Sequence, residues 1–398
     1  MANNNENKVL NVPHLRFPEF SGEWVTKSIN DLAVVIGGGT PDTTVKSYWD
    51  GEIQWFTPSE IGKNKYVDSS LRTITEVGLN NSSAKLLPPN TILLSSRATI
   101  GECSLSLREC ATNQGFQCLV SKKCNVDFLY YLIQTKKKDL IRKSCGSTFL
   151  EISANEVRKI QVSVPSDVEQ QKIAELLSLI DERIATQNKI IEKLQSLIKG
   201  LSQQLLSSEN DWILYRLDDL AQIKSGYSGT QVSYQTPYKV SRIETISKHC
   251  IDIQRIGYVE CIPESYRLNV GNILFSNINS IQYIGNTAYL DKDYGLYHGM
   301  NLLRIIPNTT IVRPRFLHLL LCTDWAINHF QTICNKAVSQ ASINQTALGK
   351  SRFPIPPMSV QQQICSMFEL TERKLDNEQE YISCLQQQKR YLLQKMFI

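Results

Sequence analysis

The feature that most constrains the fold of this 398-residue chain is an internal repeat, in which two halves carry the same signals in the same order. The openings of the halves match at a shift of 188 residues, and the closing segments match at a shift of 191, so insertions have changed the spacing and kept the order. The clearest pairs are Trp24 with Trp212, Asp31-Leu32-Ala33 with Asp219-Leu220-Ala221, Phe128-Leu129 with Phe316-Leu317, and Glu169-Gln170-Gln171 with Val360-Gln361-Gln362.

The middle of each half breaks this likeness. Residues 41–88 have almost no counterpart in residues 230–270, although matched segments flank both stretches. A repeat that keeps its frame and varies its middle predicts one scaffold that carries two different recognition regions.

Each half ends in a segment suited to a long helix, because Gly and Pro are almost absent from residues 168–206 and wholly absent from residues 358–398. Apolar residues recur there at coiled-coil spacing, in nine of ten seam positions of the first segment and seven of ten of the second. The predicted seam of the helix pair includes Leu177, Ile184, Ile191, Ile198, Leu205, Phe368, Leu375, Ile382 and Leu392.

Two matching apolar stripes in one chain can cover each other, which favours an intramolecular pair, with a homodimeric coiled coil as the alternative. A helix of this length spans roughly 55–60 Å and would act as a ruler between the globular halves. The polar seam residues Gln187, Thr371 and Glu378 either fix the register or lie exposed at a frayed seam.

These patterns predict an α+β protein in which two pseudo-repeated globular α/β domains are separated by two long helices packed as an antiparallel coiled coil. The predicted boundaries are a polar N-terminal extension at 1–14, a first globular domain at 15–165, a central helical spacer at 166–210, a second globular domain at 211–356 and a C-terminal helical spacer at 357–398.

Composition limits the environment and the chemistry. The eleven cysteines form no C-x-x-C pair, so reduced, packed thiols are expected and no metal is predicted. No stretch resembles a signal peptide or reaches membrane-spanning length, which predicts a cytoplasmic protein that contacts no membrane. The net charge of +5 is compatible with a polyanionic partner and does not establish one.

Catalytic motifs for DNA chemistry are missing. The Gly37-Gly38-Gly39 run lacks nucleotide-loop spacing, and Gly349-Lys350-Ser351 lacks the earlier Gly of a phosphate-binding loop because Asn344 takes its place. A nuclease-like arrangement of acids fails at Gln54, where a Lys is needed. The chain is therefore predicted to be non-catalytic.

Side chains that can contact phosphates or base edges cluster in the loops of both halves. The candidate DNA-binding residues are Thr43, Lys46, Thr57, Ser59, Lys63, Arg97, Asn113 and Gln114 in the first half, and Lys239, Arg242, Asn277, Asn279 and His298 in the second. If the Arg97 loop and the Asn277 loop are equivalent, the exchange of Arg for Asn would favour guanine in one half and adenine in the other.

The assembled features resemble the specificity subunit of type I restriction-modification systems over nearly the whole chain. The motifs similar to that family are Leu15-Arg16-Phe17-Pro18-Glu19-Phe20, Tyr48-Trp49-Asp50-Gly51-Glu52-Ile53-Gln54-Trp55, Arg97-x-Thr99-Ile100-Gly101, Asn113-Gln114-Gly115 and the two Pro-x-x-x-x-Gln-Gln closings. The second half lacks clear equivalents of the Trp-Asp-Gly segment and of Arg97.

The resemblance implies that each globular domain is a target-recognition domain for one half of a split, asymmetric site in double-stranded DNA. It also implies two adenine methyltransferase subunits bound to one such chain, and restriction subunits added for cleavage. S-adenosylmethionine, ATP and magnesium would then belong to these partners, with no cofactor on this chain. Two alternatives are a coiled-coil scaffold that binds only proteins, and a fused DNA-modifying enzyme of unusual sequence.

Overall fold

The computed structural model describes residues 10–146, 150–207, 212–247, 249–336 and 340–398. It divides into two compact units, one formed by Met1–Ile190 with Glu378–Ile398 and the other by Ile191–Asn377. We call these unit 1 and unit 2. Residues 1–9 of the predicted N-terminal extension, and residues 208–211 at the predicted start of the second globular domain, lie outside the described residues.

Unit 1 contains a five-stranded sheet of order β2-β9-β6-β7-β4, a three-stranded sheet of order β5-β3-β8, and the antiparallel pair β1-β10. Its strands are β1 (Val25–Ser28), β2 (Ala33–Gly37), β3 (Trp49–Phe56), β4 (Tyr66–Val67), β5 (Arg72–Ile74), β6 (Ile92–Leu94), β7 (Cys103–Ser106), β8 (Cys110–Thr112), β9 (Gln117–Ser121) and β10 (Gln161–Val164). Its shorter helices are α1 (Ile29–Leu32), α2 (Glu76–Asn80), α3 (Val126–Thr135), α4 (Lys137–Arg142) and α5 (Ala154–Arg158).

Unit 2 keeps the frame of unit 1, with a sheet of order β12-β22-β18-β20 and the antiparallel pair β11-β25, and adds a sheet of order β13-β17-β14-β21. Its strands are β11 (Ile213–Arg216), β12 (Ala221–Ser225), β13 (Gln231–Val232), β14 (Tyr238–Val240), β15 (Ile246–Ser247), β16 (Cys250–Ile251), β17 (Gly257–Val259), β18 (Ile273–Phe275), β19 (Ile278–Asn279), β20 (Thr287–Tyr289), β21 (Leu296–Tyr297), β22 (Leu303–Pro307), β23 (Asn335–Lys336), β24 (Ala341–Ser342) and β25 (Arg352–Ile355). Its shorter helices are α7 (Leu217–Leu220), α8 (Pro314–Leu321), α9 (Asp324–Ile333) and α10 (Gln345–Gly349).

Two long helices, α6 (Asp167–Leu205) and α11 (Met358–Lys395), each contribute one end to unit 1 and the other end to unit 2. In unit 1, Asp181 of α6 pairs with Lys389 of α11 at 2.6 Å, and Gln187 donates a hydrogen bond to the Glu378 side chain. The partner's number falls as the number along α6 rises, so these segments run antiparallel. The predicted α+β fold with repeated units and long helices is confirmed.

Every predicted seam position is buried or partly buried. Gln187 is buried against Glu378, which accounts for two polar residues at the seam, while the hydroxyl of Thr371 donates to the carbonyl of Met367 in its own helix. Lys389, which also interrupts the apolar stripe, is neutralised by Asp181. A polar pair buried in a coiled-coil seam favours one register, because any shift leaves both groups without partners.

The closing glutamine of each half joins a long helix to its globular unit. In unit 1, Gln170 donates to the carbonyl of Pro165 at 3.0 Å and accepts from the backbone N–H of Asn125 at 3.1 Å. In unit 2, Gln361 donates to the carbonyl of Pro356 at 2.9 Å and accepts from the backbone N–H of Arg313 at 2.7 Å. Both side chains are buried, so this repeated motif is structural in both units.

The apolar core of each unit lies between its main sheet, its α-helical pair and one end of each long helix. In unit 1, Trp24 and Phe128 pack against Phe397, which follows the end of α11. In unit 2, Trp212 packs against Phe316, and Phe368 of α11 lies in the same core. Among the described residues, no helix combines the length and the apolar character needed to cross a membrane.

Candidate nucleic-acid interface

Four chain segments of unit 1 meet at one edge and are joined by backbone hydrogen bonds. Gly39 donates to Thr112 at 2.8 Å, Asn113 donates to Phe56 at 3.1 Å, and Ser96 donates to the carbonyl of Gly115 at 2.8 Å. We call this arrangement the unit 1 loop junction. It brings together the ends of β2, β3, β6 and β8, which the sequence separates by up to about 75 residues.

The junction depends on a close backbone approach at a glycine. A Cβ atom at Gly38 would lie 2.0 Å from the carbonyl oxygen of Asn113. In unit 2, a Cβ atom at Gly226 would lie 1.8 Å from the carbonyl oxygen of Gly299. No side chain fits at either place, so these glycines allow the loops to cross.

Several predicted contact residues in unit 1 already bond within the junction. The Thr57 hydroxyl donates to Glu60 at 2.7 Å and lies 3.0 Å from the Ser59 hydroxyl. Asn113 accepts from the backbone N–H of Gly115 at 2.9 Å, and Gln114 accepts from the hydroxyl of Thr40. Ser59 and Gln114 are nevertheless exposed, so the turn holds polar groups at the surface.

Arg97 lies on a tight loop beside the junction. Its guanidinium pairs with Glu151 at 2.9 Å, with 42% of the Arg97 side chain exposed, and its Nε atom is buried without a partner among the described residues. Ala98 follows in the left-handed region with φ +54°, and Gly101 closes the loop with φ +86°. The loop therefore presents a half-exposed cation whose hydrogen-bonding capacity is only partly used.

Other hydroxyl and ammonium side chains in this part of unit 1 separate into two environments. Thr43, Lys46 and Lys63 are exposed. Lys65, by contrast, is buried, with its ammonium 2.6 Å from Asp127 and 2.7 Å from the Ser178 hydroxyl. Lys65 therefore stabilises the base of the unit, while the exposed side chains remain available to a ligand.

Unit 2 has an equivalent junction built from different side chains. The backbone N–H of Tyr227 donates to the carbonyl of His298 at 2.9 Å, and the backbone N–H of Gly299 donates to the Ser241 hydroxyl at 3.0 Å. In both units a strand runs parallel to the strand that enters the junction, β3 with β8 and β14 with β21. The two middles thus share this topology although their sequences show almost no likeness.

Of the two predicted cations of unit 2, Lys239 lies on β14 and Arg242 follows this strand. Lys239 is exposed, and Arg242 is exposed and lies 3.4 Å from Glu244. Arg242 precedes a 3-10 turn at Ile243–Thr245, just as Thr57 precedes the 3-10 turn at Pro58–Glu60. A cation thus stands in unit 2 where unit 1 has a hydroxyl.

The hydrogen bonds correct the expected pairing of the Arg97 and Asn277 loops. Ile152 donates to the carbonyl of Ser96, and its counterpart Ile343 donates to the carbonyl of Asn277. Asn277 therefore corresponds to Ser96, and the residue that corresponds to Arg97 is Ile278. The expected exchange of Arg for Asn at one position is wrong, because an alignment based on polarity placed the amide one residue out of register.

The amides of this loop in unit 2 are partly exposed. Asn277 donates to the carbonyl of Ile343 at 3.3 Å, and its Oδ1 atom is buried without a partner in the described part of the chain. Asn279 donates to the Ser276 hydroxyl at 3.1 Å. At the corresponding place in unit 1, the buried Ser96 hydroxyl is also unpartnered among the described residues.

His298 lies inside unit 2, with 1% of its surface exposed and its Nε2 atom 3.0 Å from the carbonyl oxygen of Leu302. Burial lowers the pKa of His298 to about 4, because the apolar surroundings disfavour the imidazolium. The neutral ring supports the junction from below and has no exposed edge to offer a base.

The described residues contain no cluster of three or more His, Cys, Asp or Glu side chains arranged to hold a metal ion. Burial raises the pKa of the Cys103, Cys110 and Cys118 thiols to about 12, so these groups are packed as neutral thiols. The arrangement of the junctions suits recognition of a polar surface by loops on a rigid sheet.

Sequence reasoning missed Glu151, the partner of Arg97. The signal was present in the repeat, because Glu151-Ile152 matches Ser342-Ile343 at the shift of 191 that also relates the closing segments. The residue pairs with Arg97 only through the fold, since 54 positions separate the two in the chain.

Comparison with known proteins gives one consistent result. The model of the type I restriction modification DNA specificity domain matches residues 21–196 and again residues 209–387. The type I restriction enzyme MjaIX specificity subunit of Methanocaldococcus jannaschii is 30% identical over 327 residues, which cover 69% of this chain and 75% of that protein. The EcoR124I/EcoR124II specificity subunit of Escherichia coli is 29% identical over 210 residues, which cover 51% of this chain and 49% of that protein.

A solved structure shows the same fold. The crystal structure of the type I restriction-modification S subunit from M. genitalium superposes with a TM-score of 0.60 at 16% identity, covering 97% of this chain and 99% of that one.

Proposed function

We propose, from the premise that this chain belongs to the type I restriction-modification DNA specificity family, that unit 1 reads one half of a split DNA target and unit 2 reads the other. The chain is a specificity subunit with two DNA specificity domains, and its role is not catalytic. The proposal adds which surfaces make the contacts and how the helices divide the target.

The observation that supports this division is the pair of loop junctions. Both units carry the same crossing of loops at a glycine, and each surrounds it with different side chains. A rigid frame with variable loops is what a protein needs to recognise a new sequence without changing its fold.

The side chains at each junction have distinct proposed roles. Arg97 contacts a base edge in unit 1, where a guanidinium suits the two acceptors of guanine, and Asn277 and Asn279 contact bases in unit 2, where an amide suits adenine. The exposed cations Lys46, Lys63, Lys239 and Arg242 contact phosphates, as do the hydroxyls of Thr43, Thr57 and Ser59. Asn113 and Gln114 shape the loop and present amides beside Arg97, while His298 supports its junction.

The long helices set the gap between the two half-sites. Two methyltransferase subunits and the restriction subunits assemble on the chain, and S-adenosylmethionine, ATP and magnesium are bound by those partners. The Gln187–Glu378 and Asp181–Lys389 pairs support the ruler, because they fix how far one helix can slide along the other within unit 1.

The test is to purify the chain with its cognate methyltransferase subunits and to map methylated adenines on genomic DNA. We expect methylation at a split site with two defined halves and a constant gap. A methyltransferase that modifies the same sites without this chain, or an undivided site, would contradict the proposal.

Salt dependence separates DNA recognition from a scaffold that binds only proteins. The assembled complex should prefer a target duplex over a scrambled one, and its affinity for both should fall steeply with salt, since cations at phosphates displace counterions. Binding that ignores sequence and salt would instead support the scaffold.

A further inference from the structure

Unit 1 has an open groove where the turn between α3 and α4 faces the end of α11. The cavity has a volume of about 570 Å³. Its apolar floor is formed by Ile141, Leu393, Phe397 and Ile398. Ile141 and Ile398 are 42% and 39% exposed, so this apolar surface faces solvent in the part of the chain that the structure describes.

The rim of the groove is basic. Lys136, Lys137, Lys138 and Arg390 line it, with Gln134, Thr135 and Gln394 as its neutral polar members. Lys137 is paired with Glu102, and Lys136 donates to a main-chain oxygen of Ile398 at 2.6 Å. Lys138 and Arg390 are exposed and have no acidic partner among the described residues, so the rim offers unneutralised positive charge.

Unit 2 shows what fills the corresponding place. The units match where the helix after the turn begins, since Lys136 is the N-cap of α4 and Thr323 is the N-cap of α9. Relative to the shift of 188 between Phe128 and Phe316, unit 1 has one more residue before this point. Two residues after Thr323 comes Trp325, whose indole N–H donates to the carbonyl of Leu206 at 2.7 Å, just past the end of α6. The Trp325 ring also packs on Phe353, at a centroid distance of 5.7 Å.

The position of Trp325 is taken in unit 1 by Lys138, two residues after Lys136. An indole therefore closes the space between the turn and the long helix in unit 2, whereas unit 1 leaves that space open and surrounds it with lysines. The common frame can therefore be built with this space either filled, as in unit 2, or open, as in unit 1.

We propose that this groove is a docking site for an acidic protein segment that carries a Trp or Tyr side chain, bound once per chain. The aromatic ring takes the place that Trp325 occupies in unit 2, with its N–H or O–H directed to a carbonyl past the end of α11. Acidic residues beside the ring pair with Lys138 and Arg390. An amphipathic ring with a polar tip suits a site with an apolar floor and main-chain carbonyls at its edge.

The proposal goes beyond the DNA-reading function and does not depend on it, since none of the groove residues belongs to a loop junction. It also predicts an unequal stoichiometry. A partner that used the frame common to both units would bind twice, whereas this site is open only in unit 1.

The test uses the full chain and three fluorescein-labelled peptides of matched length. The probe is acetyl-Glu-Glu-Trp-Glu-Glu-amide, and the controls replace Trp by Ala or all four Glu by Gln. We expect the probe to bind about tenfold more tightly than either control at low salt, and the advantage over the uncharged control to shrink as salt screens the rim. Equal binding of the three peptides would overturn the proposal.

Variants then place the site. Lys138→Trp should fill the groove as Trp325 fills its counterpart, and should weaken binding of the probe about tenfold or more, while Lys138→Arg should preserve it. Lys143→Trp, on a partly buried residue outside the groove lining, controls for adding an indole to the surface. Unchanged binding to Lys138→Trp would overturn the site.

The reciprocal change tests the comparison with unit 2. Trp325→Ala should open a second place for the ring, and Trp325→Phe, which keeps the space filled, should not. A nucleic acid is the competing occupant of a basic groove, so a duplex with an unrelated sequence is added as a competitor. Displacement of the probe from the wild-type chain by this duplex would assign the groove to a nucleic acid and overturn the proposal. Methylation mapping with Lys138→Trp should be unchanged, which separates this test from that of the DNA-reading function.

Discussion

The two loop junctions share a frame and differ in chemistry. In both, a glycine lets one loop cross another, and a buried glutamine closes the unit onto a long helix. Beside the crossing, unit 1 places the Arg97–Glu151 ion pair where unit 2 has Ile278 and Ser342. The two units therefore share the backbone geometry of the junction, whereas the side chains beside the crossing differ between them.

A second difference lies inside the units. Four of the five histidines lie in unit 2, and burial lowers the pKa of His249, His298, His318 and His329. Unit 1 joins its two long helices with the Asp181–Lys389 ion pair, at 2.6 Å. Unit 2 has an ion pair of its own, between Arg315 of α8 and Glu372 of α11, so the feature that distinguishes it from unit 1 is its buried imidazoles, those of His298 and His318.

The largest effect is expected from exchanging nearly the whole globular domain of the second half. Grafting residues 211–355 from a related specificity subunit should replace one half of the methylated target completely and leave the other half and the gap unchanged, because the globular part of unit 1 and both long helices stay in place. Methylation mapping of the chimera gives the result. A change in both halves would break the proposed division between the units.

Acid should destabilise unit 2 more than unit 1. The unfolded chain takes up a proton at His298 below about pH 6.5, whereas the folded imidazole stays neutral until about pH 4. The free energy of unfolding is thus retained above pH 6.5 and falls by up to about 3 kcal/mol as the pH drops to 4. Hydrogen exchange measured at several pH values should show earlier loss of protection in unit 2.

His298→Gln should reduce this pH dependence in unit 2 by the share of one imidazole, and substitution of the exposed His14 in unit 1 by Gln is the matched control. Equal acid sensitivity of the two units would contradict the proposed contrast.

The two closing glutamines should prove equally important. Gln170→Leu and Gln361→Leu each leave buried backbone groups without a partner, which should lower the free energy of unfolding by about 2–4 kcal/mol. The neighbouring Gln171 and Gln362 are exposed, so the same substitution there should change stability by less than about 0.5 kcal/mol. Chemical denaturation of the four variants measures these changes in the free energy of unfolding. A large decrease for only one of Gln170→Leu and Gln361→Leu would show that the shared hydrogen bonds do not stabilise the two units equally.

The smallest expected effect concerns the side chain that distinguishes the junctions. Arg97→Ala should reduce methylation at targets with the cognate unit 1 half-site by about 10- to 100-fold, the range of one good base contact, and should relax specificity at that position. Arg108→Ala removes an exposed arginine of the same unit, paired with Asp68, and should have little effect. Glu151→Gln frees Arg97 and should leave specificity intact. A uniform loss across all sequences would instead assign Arg97 to a phosphate.

The frame was predictable from the sequence because each of its constraints leaves a signature at a fixed spacing. The heptad positions of both helices are all buried or partly buried, and the matched Trp24 and Trp212 mark equivalent cores. Gln187 and Glu378 were recognised as exceptions in the seam, although only the fold shows that they bond to each other.

The junctions were harder to predict, because their contacts join segments that are distant in the chain. Lys63 and Lys65 are two positions apart and look alike in the sequence, yet one is exposed and the other is buried against Asp127. Both lie in the bend before β4, where no strand alternation applies, and Lys65 is buried because the fold brings Asp127 and Ser178 to its ammonium. The Asn277 loop was placed one residue out of register for the same reason, since polarity alone does not determine hydrogen-bond partners.

The contacts of Phe397 have a consequence for the order of events at the ribosome. This ring completes the core of unit 1 against Trp24 and Phe128, so the unit that is translated first lacks part of its interior until after unit 2 has been synthesised. Unit 2, by contrast, is formed from one continuous stretch of chain. During translation the second unit can therefore fold before the first, and the first unit keeps part of its aromatic core exposed until Phe397 has been synthesised.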